Sequence, residues 1–169
     1  MPLARQTIFT LALMCFLSAC GFQLRGAGGS ELPESWRQMY LVTSNPNGEL
    51  SRELQSVFTA NGVLWVDQEE ANYLIEIGPE KFQQRNLSLN AQARAAEFEL
   101  TLSASFSVAD ENGAQAMEST RASVVKQMEN DPRNVVGKAE EVRLLKAEMR
   151  TELVRQILRH IGYFATSTS

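Results

Sequence analysis

An α+β two-layer sandwich, with two helices packed on one face of a four-stranded, mainly antiparallel sheet in the order β-α-β-β-β-α, is the fold class that this 169-residue sequence predicts. Three observations lead to it. Phe98, Leu100, Leu102, Ala104, Phe106 and Val108 alternate without a break against Glu97, Glu99, Thr101, Ser103, Ser105 and Ser107, the period of a strand with one dry and one wet face. Val135, Val142, Leu145, Met149, Leu153, Ile157 and Ile161 make an apolar stripe at helical spacing, and a helix of about 30 residues would be roughly 45 Å long, enough to cover a whole sheet. Leu50, Leu54, Val57 and Phe58 fall on one face of a second, shorter helix.

Each element has local chemistry behind it. Gln38 to Thr43 carries Met39, Tyr40, Leu41 and Val42 and stops at the turn residues Ser44-Asn45-Pro46-Asn47-Gly48, which makes it a short buried strand. The short helix follows, and Asn61-Gly62 supplies the left-handed stop expected at its end. Tyr73, Ile75 and Ile77 line one face of the second strand, and Gly78-Pro79 interrupts it because proline removes a ladder donor. Beyond Phe82, Gln83 to Arg94 reads either as a polar, exposed connection or as a curled strand extension.

After the long alternating strand, Asp110-Glu111-Asn112-Gly113 is a hairpin turn, and Ala116 to Gln127 returns as the fourth strand with Ala122 and Val124 inward. Asp131-Pro132 opens the long helix, since Asp caps and Pro is preorganised for the first helical position. Gly162 and the tail Ala165-Thr166-Ser167-Thr168-Ser169 mark its expected end. If a second layer covered the other sheet face, Thr101, Ser103, Ser105 and Ser107 would be buried hydroxyls, each costing about 1–3 kcal/mol when unpaired. That face is therefore expected to meet water or a polar partner.

The amino terminus has a different organisation. Arg5 precedes an uncharged run from Ile8 to Ala19, and a membrane-spanning helix needs roughly 20 apolar residues, so the run is too short to span. It has the layout of an export signal, and Leu17-Ser18-Ala19-Cys20 reads as a lipobox. Cys20 is then the lipidation site, carrying a thioether-linked diacylglycerol and an N-acyl chain. At about 0.8 kcal/mol per buried methylene, several chains anchor a domain durably. An ordinary secretory signal cut near Ala19 would instead leave Cys20 as a lone thiol. The organisation expected is a lipoprotein signal peptide at 1–19, an anchor and flexible spacer at 20–35, a single α+β domain at 36–164 and a polar tail at 165–169.

Composition and spacing exclude several chemistries. With 16 Lys and Arg against 20 Asp and Glu, general nucleic-acid binding is not expected, since its affinity comes from clustered cations on phosphates. No metal-ligand spacing or nucleophile elbow appears, and the one histidine, His160, reads as a surface group or a dipole partner at a helix C-terminus. No enzyme activity, metal or cofactor is expected apart from the covalent lipid on Cys20. The cations are more suggestive. Arg25 follows the anchor, Lys81, Arg85 and Arg94 bracket the polar connection, and Arg133 and Lys138 lie in the first turns of the long helix. Two of these groups converging at a helix N-terminus would make a phosphate site, whereas scattered they only solubilise. Arg150 and Arg155 on the same helix are expected to be ordinary surface charges, fit to serve as controls.

The run Cys20-Gly21-Phe22-Gln23-Leu24-Arg25-Gly26 resembles the mature start of the lipopolysaccharide-assembly lipoproteins of the LptE (RlpB) family. Pro46-Asn47-Gly48 with Leu50-Ser51-Arg52, Asn61-Gly62-Val63, Ala96-Glu97-Phe98, and Pro132 followed by Lys138 agree with it in order. The resemblance implies an outer-membrane lipoprotein that plugs the lumen of the LptD β-barrel from the periplasmic side, assists its assembly and helps deliver lipopolysaccharide to the outer leaflet. It also implies lipopolysaccharide binding by basic residues before the third strand and at the start of the last helix. Lys138 matches the second position. At the first this sequence has Ala91, with Arg94 and Arg85 on either side, and Arg133 adds a further cation. The alternative is a free-standing lipid-carrier or substrate-binding lipoprotein, which would enclose acyl chains in its own apolar cavity.

Overall fold

The computed structural model describes residues 32–89, 95–130 and 135–168. A single 3-10 turn at Glu34–Trp36 leads into β1 (Gln38–Thr43), α1 (Glu49–Ala60), β2 (Leu64–Trp65), β3 (Tyr73–Ile77), β4 (Lys81–Leu89), β5 (Ala95–Asp110), β6 (Gln115–Glu129) and α2 (Val135–Ser167). The α+β class and the pair of helices are as the sequence predicts, but the sheet has six strands where four are expected. Both additions are edge strands: β2 has two residues, and β4 runs through Leu89, so of the two readings of the stretch after Phe82 its first part takes the strand extension.

The sheet is mixed. β1 pairs in parallel with both β2 and β3, while β3, β4 and β6 all pair antiparallel with β5. Parallel neighbours need a crossover, and α1 supplies it between β1 and β2. β3 and β4 lie end to end along the same side of β5, which faces Tyr73–Ile77 with Phe106–Asp110 and Lys81–Leu89 with Ala95–Ser103. They make one line broken at Gly78-Pro79-Glu80.

Gly78 allows a close approach of the two strands at that break. Its N–H donates to the Ser105 carbonyl at 2.8 Å, and a Cβ built there would run into Ser105 Oγ. Gly78→Ala is expected to destabilise by about 1–3 kcal/mol, as overpacking does, and Ser105→Ala in the same chain should recover most of that loss in thermal melts.

α1 ends as its sequence dictates, with Gly62 at φ +88° and Val63 N–H returning to the Phe58 carbonyl. Asp110 Oδ1 accepts the N–H groups of Asn112 and Ala114, both at 2.9 Å, which ties the β5–β6 turn.

All six apolar positions of the β5 stripe are buried, with Leu100 and Leu102 at 0% exposure. Ala122, Val124 and Met128 of β6 share that face. α2 meets it with Met149, Leu153, Ile157 and Ile161, and a second row, Val154, Leu158 and Ala165, is buried beside it. α2 continues through Gly162, itself buried, to Ser167 rather than stopping there, so most of the expected tail is helical. At the other end Leu32 is 2% exposed, so the packed fold begins ahead of Trp36, inside the stretch read as spacer.

Candidate functional site

The sheet and α2 give the molecule a base and a tip. At the base, the chain enters at Leu32, Trp36 stacks on Tyr73 with ring centroids 3.8 Å apart, and Phe164 near the end of α2 meets Trp36 edge-on at 5.9 Å. β1 and β3 start there and the β5–β6 turn lies there. At the tip, β4 and β6 end and β5 and α2 begin. The 16 residues of β5 at about 3.3 Å each and the 33 of α2 at 1.5 Å each both give a length of roughly 50 Å.

Lys138 lies at the tip, in the first turn of the described part of α2. Its ammonium sits 3.9 Å from the centroid of the Phe98 ring and donates to Asn130 Oδ1 at 2.7 Å. Both partners are neutral. Among the described residues, the other cations fixed by contacts in this half of the molecule meet carboxylates: Arg85 with Glu99, Lys126 with Glu148, Arg143 with Glu140, Lys146 with Glu80. Among the described residues, Lys138 is held without an ion-pair partner.

Arg85 is close to Lys138 along the sheet and on the wrong side of it. It pairs across the ladder with Glu99, Nε to Oε1 at 2.6 Å and Nη2 to Oε2 at 2.9 Å, and these hydrogen bonds hold the Glu99 carboxyl below its usual range. Phe98 and Glu99 are consecutive, so their side chains leave opposite faces of β5. Lys138 belongs to the inner face and Arg85 to the outer one, and these two cations do not converge. Arg94, Arg133, Arg25 and Cys20 lie outside the described residues. The elements that residues 90–94 and 131–134 join, β4 to β5 and β6 to α2, all terminate at the tip.

Arg150 is not the surface charge that its sequence context suggests. It is 6% exposed, and its guanidinium forks onto Glu80, Nε to Oε2 at 2.6 Å and Nη2 to Oε1 at 3.1 Å, while Nη2 also reaches Glu49 Oε2 at 2.8 Å. Lys146 approaches Glu80 at 2.9 Å, and Thr151 donates to Glu53 at 2.6 Å. This cluster ties α1, the break between β3 and β4, and the middle of α2 together. Burial pushes the Glu80 carboxyl up, but hydrogen bonds from Arg150 and Lys146 outweigh it and hold the carboxyl below its ordinary value. A cavity of about 440 Å³ beside it is lined by polar groups including Thr43, Asn45, Ser51, Glu80 and Arg150.

His160 also departs from its surface reading. It faces the core, its ring 6.0 Å from that of Phe106, with Nδ1 buried and without a hydrogen-bond partner, and α2 runs on past it.

Among the described residues, no helix lies on the outer face of the sheet. The ladder places Thr101, Ser103 and Ser105 of β5 beside Val125, Ser123 and Arg121 of β6, with Gln83 and Lys81 of β4 on the other flank. Ser103, at 9% exposure, is screened by its neighbours, and Val125 is 55% exposed. The one-sided pattern of β5 is thus realised as a hydroxyl-rich surface along the length of the molecule. No described helix is long and apolar enough to cross a membrane.

Comparison with known proteins agrees with this architecture. The lipopolysaccharide-assembly family LptE matches residues 36–161. The LPS-assembly lipoprotein LptE of Photorhabdus laumondii is 24% identical over 161 residues, 93% of this chain and 86% of that protein. The crystal structure of rare lipoprotein B from Shewanella oneidensis superposes with a TM-score of 0.70 at 26% identity, covering 78% of this chain and 98% of that one. The solution structure of lipoprotein B from Nitrosomonas europaea gives the same TM-score and identity over 86% of this chain and 93% of its own. With three-quarters of its length matched and its fold shared, the chain belongs to the LptE family, whose members are non-enzymatic lipoproteins of lipopolysaccharide assembly.

Proposed function

We propose that the chain is an outer-membrane lipoprotein, acylated on Cys20, that occupies the lumen of the LptD β-barrel from the periplasmic side, assists its assembly and binds lipopolysaccharide at the tip. The observation that carries the barrel assignment is the uncovered outer face: hydroxyls and scattered charge run the length of the sheet, and the interior of a wide membrane barrel is itself polar. A length of roughly 50 Å suits a plug that reaches through a barrel from a tether at its base. Lys138, held at the opposite end by two neutral partners, is the described group best placed to meet a lipopolysaccharide phosphate. Against a free-standing carrier stands the filling of the inner sheet face, where Leu100, Leu102, Leu153 and Ile157 are all at 0% exposure and occupy the volume that acyl chains would need.

Two measurements test this. Gentle solubilisation of outer membranes is expected to release the acylated protein with a large β-barrel, and its recovery alone would refute the plug. Lys138→Asp with Arg94→Asp is expected to weaken lipopolysaccharide binding about tenfold or more, given the worth of charge-assisted contacts. Arg155→Asp with Arg159→Asp, two exposed helix positions nearer the base, is the control. Equal loss in both pairs would reduce the effect to unspecific charge.

A further inference from the structure

We infer that Phe98 and Asn130 are positioning residues for the anion site at the tip, and that the neutrality of Asn130 is what keeps Lys138 available. This rests on the proposed reading of Lys138 as a lipopolysaccharide contact. A lysine side chain has four rotatable carbons and a strongly hydrated head, so an unrestrained one is a poor directional binder. Here it is fixed at its far end. The Phe98 ring lies against the ammonium at 3.9 Å, and Asn130 Oδ1 takes one of its three N–H bonds at 2.7 Å. The two partners come from different strands, β5 and the residue just past β6, so the ammonium is clamped across the inner face at the end of the sheet.

The chemistry of the clamp decides what it can bind. A carboxylate at position 130 would hold the ammonium at least as firmly, and would also neutralise it, as Glu80 does for Lys146 and Glu148 for Lys126. A π face and an amide oxygen supply attraction through a quadrupole and a dipole, and leave the full unit charge for a ligand. The ligand class that such a group suits is a phosphomonoester or diphosphate on an amphiphile, met by one preorganised ammonium.

The experiment uses the full acylated chain in detergent, with lipopolysaccharide as probe and its enzymatically dephosphorylated form as comparison. Asn130→Asp is the informative variant, since it keeps the side chain's shape and the oxygen that accepts from Lys138 while exchanging the amide for a negative charge. It is expected to leave the thermal melt unchanged or raised and to weaken binding of the phosphorylated probe about tenfold, approaching the loss in Lys138→Asp. Phe98→Leu, which retains apolar volume without the π face, is expected to weaken it about threefold, and Asn130→Ser to fall between that and wild type. The dephosphorylated probe should respond to none of the four. If Asn130→Asp binds as wild type while Lys138→Asp is impaired, the positioning role is overturned and the lysine contact stands. If Lys138→Asp itself binds as wild type, the lipopolysaccharide reading of this site fails instead.

Discussion

Arg150→Ala is expected to lower the unfolding free energy by about 3 kcal/mol in denaturant titrations, near the lower end of what breaking a buried ion pair costs. The loss arises from what is left behind. Glu80, with its side chain 16% exposed, loses its forked partner, and α1 loses its link to α2 through Glu49. The figure stays at the lower end because Lys146 remains within 2.9 Å of Glu80 and because Glu49 is solvated.

The effect should also depend on pH with a definite sign. The folded-state carboxyl of Glu80 titrates below the ordinary value of 4.5, so its contribution is fully present above pH 4.5 and is lost as the pH falls through the folded-state value. The gap between wild type and Arg150→Ala should therefore narrow in acid. A gap that stays constant or widens there would mean that the arginine acts through packing alone.

Phe106→Ala is the second large effect, expected at about 3–5 kcal/mol for a core aromatic truncated to alanine. Phe106 is 1% exposed, faces Ile77 across one ladder and Thr120 across the other, and sits next to the register shift at Val108. Rearrangement to fill the space is limited by the paired strands on both sides. One compensation is available: the His160 ring, 6.0 Å from that of Phe106, carries a buried Nδ1 without a partner, so a water entering the space has a polar group near it. The loss should consequently be smaller than that of Leu102→Ala per unit of volume removed. The comparison is made by equilibrium unfolding of both variants.

The elements that were legible in the sequence are those whose side chains face two different environments. β5 had to alternate because one face meets α2 and the other does not. β4 left no such mark, because Gln83, Gln84, Arg85 and Asn86 are all exposed and its place in the sheet rests on backbone hydrogen bonds, which every residue type can make. Strand direction was illegible for a related reason: alternation reports faces, and it was α1 as a crossover that made β1 parallel to its neighbours.

Arg150 was hidden by distance, since its partner Glu80 lies 70 positions away along the chain. A local signal did exist. Arg150, Val154, Leu158 and Ala165 form a second stripe beside the first, and every other member of it is apolar and buried. At the candidate site, Lys138 was legible through the family resemblance, while Phe98 read only as the first residue of a core stripe and Asn130 gave no signal.

The cluster around Arg150 has a mechanical meaning as well as an energetic one. Below it two helices back the sheet, and above it a single helix backs three strands, so the molecule is a beam clamped over half its length with a free arm beyond. A transverse load on the arm puts its greatest bending moment at the clamp. There α2, the β3–β4 break and the head of α1 meet through charged side chains, so the ion pairs of Arg150 stand where a displacement of Lys138 would be resisted.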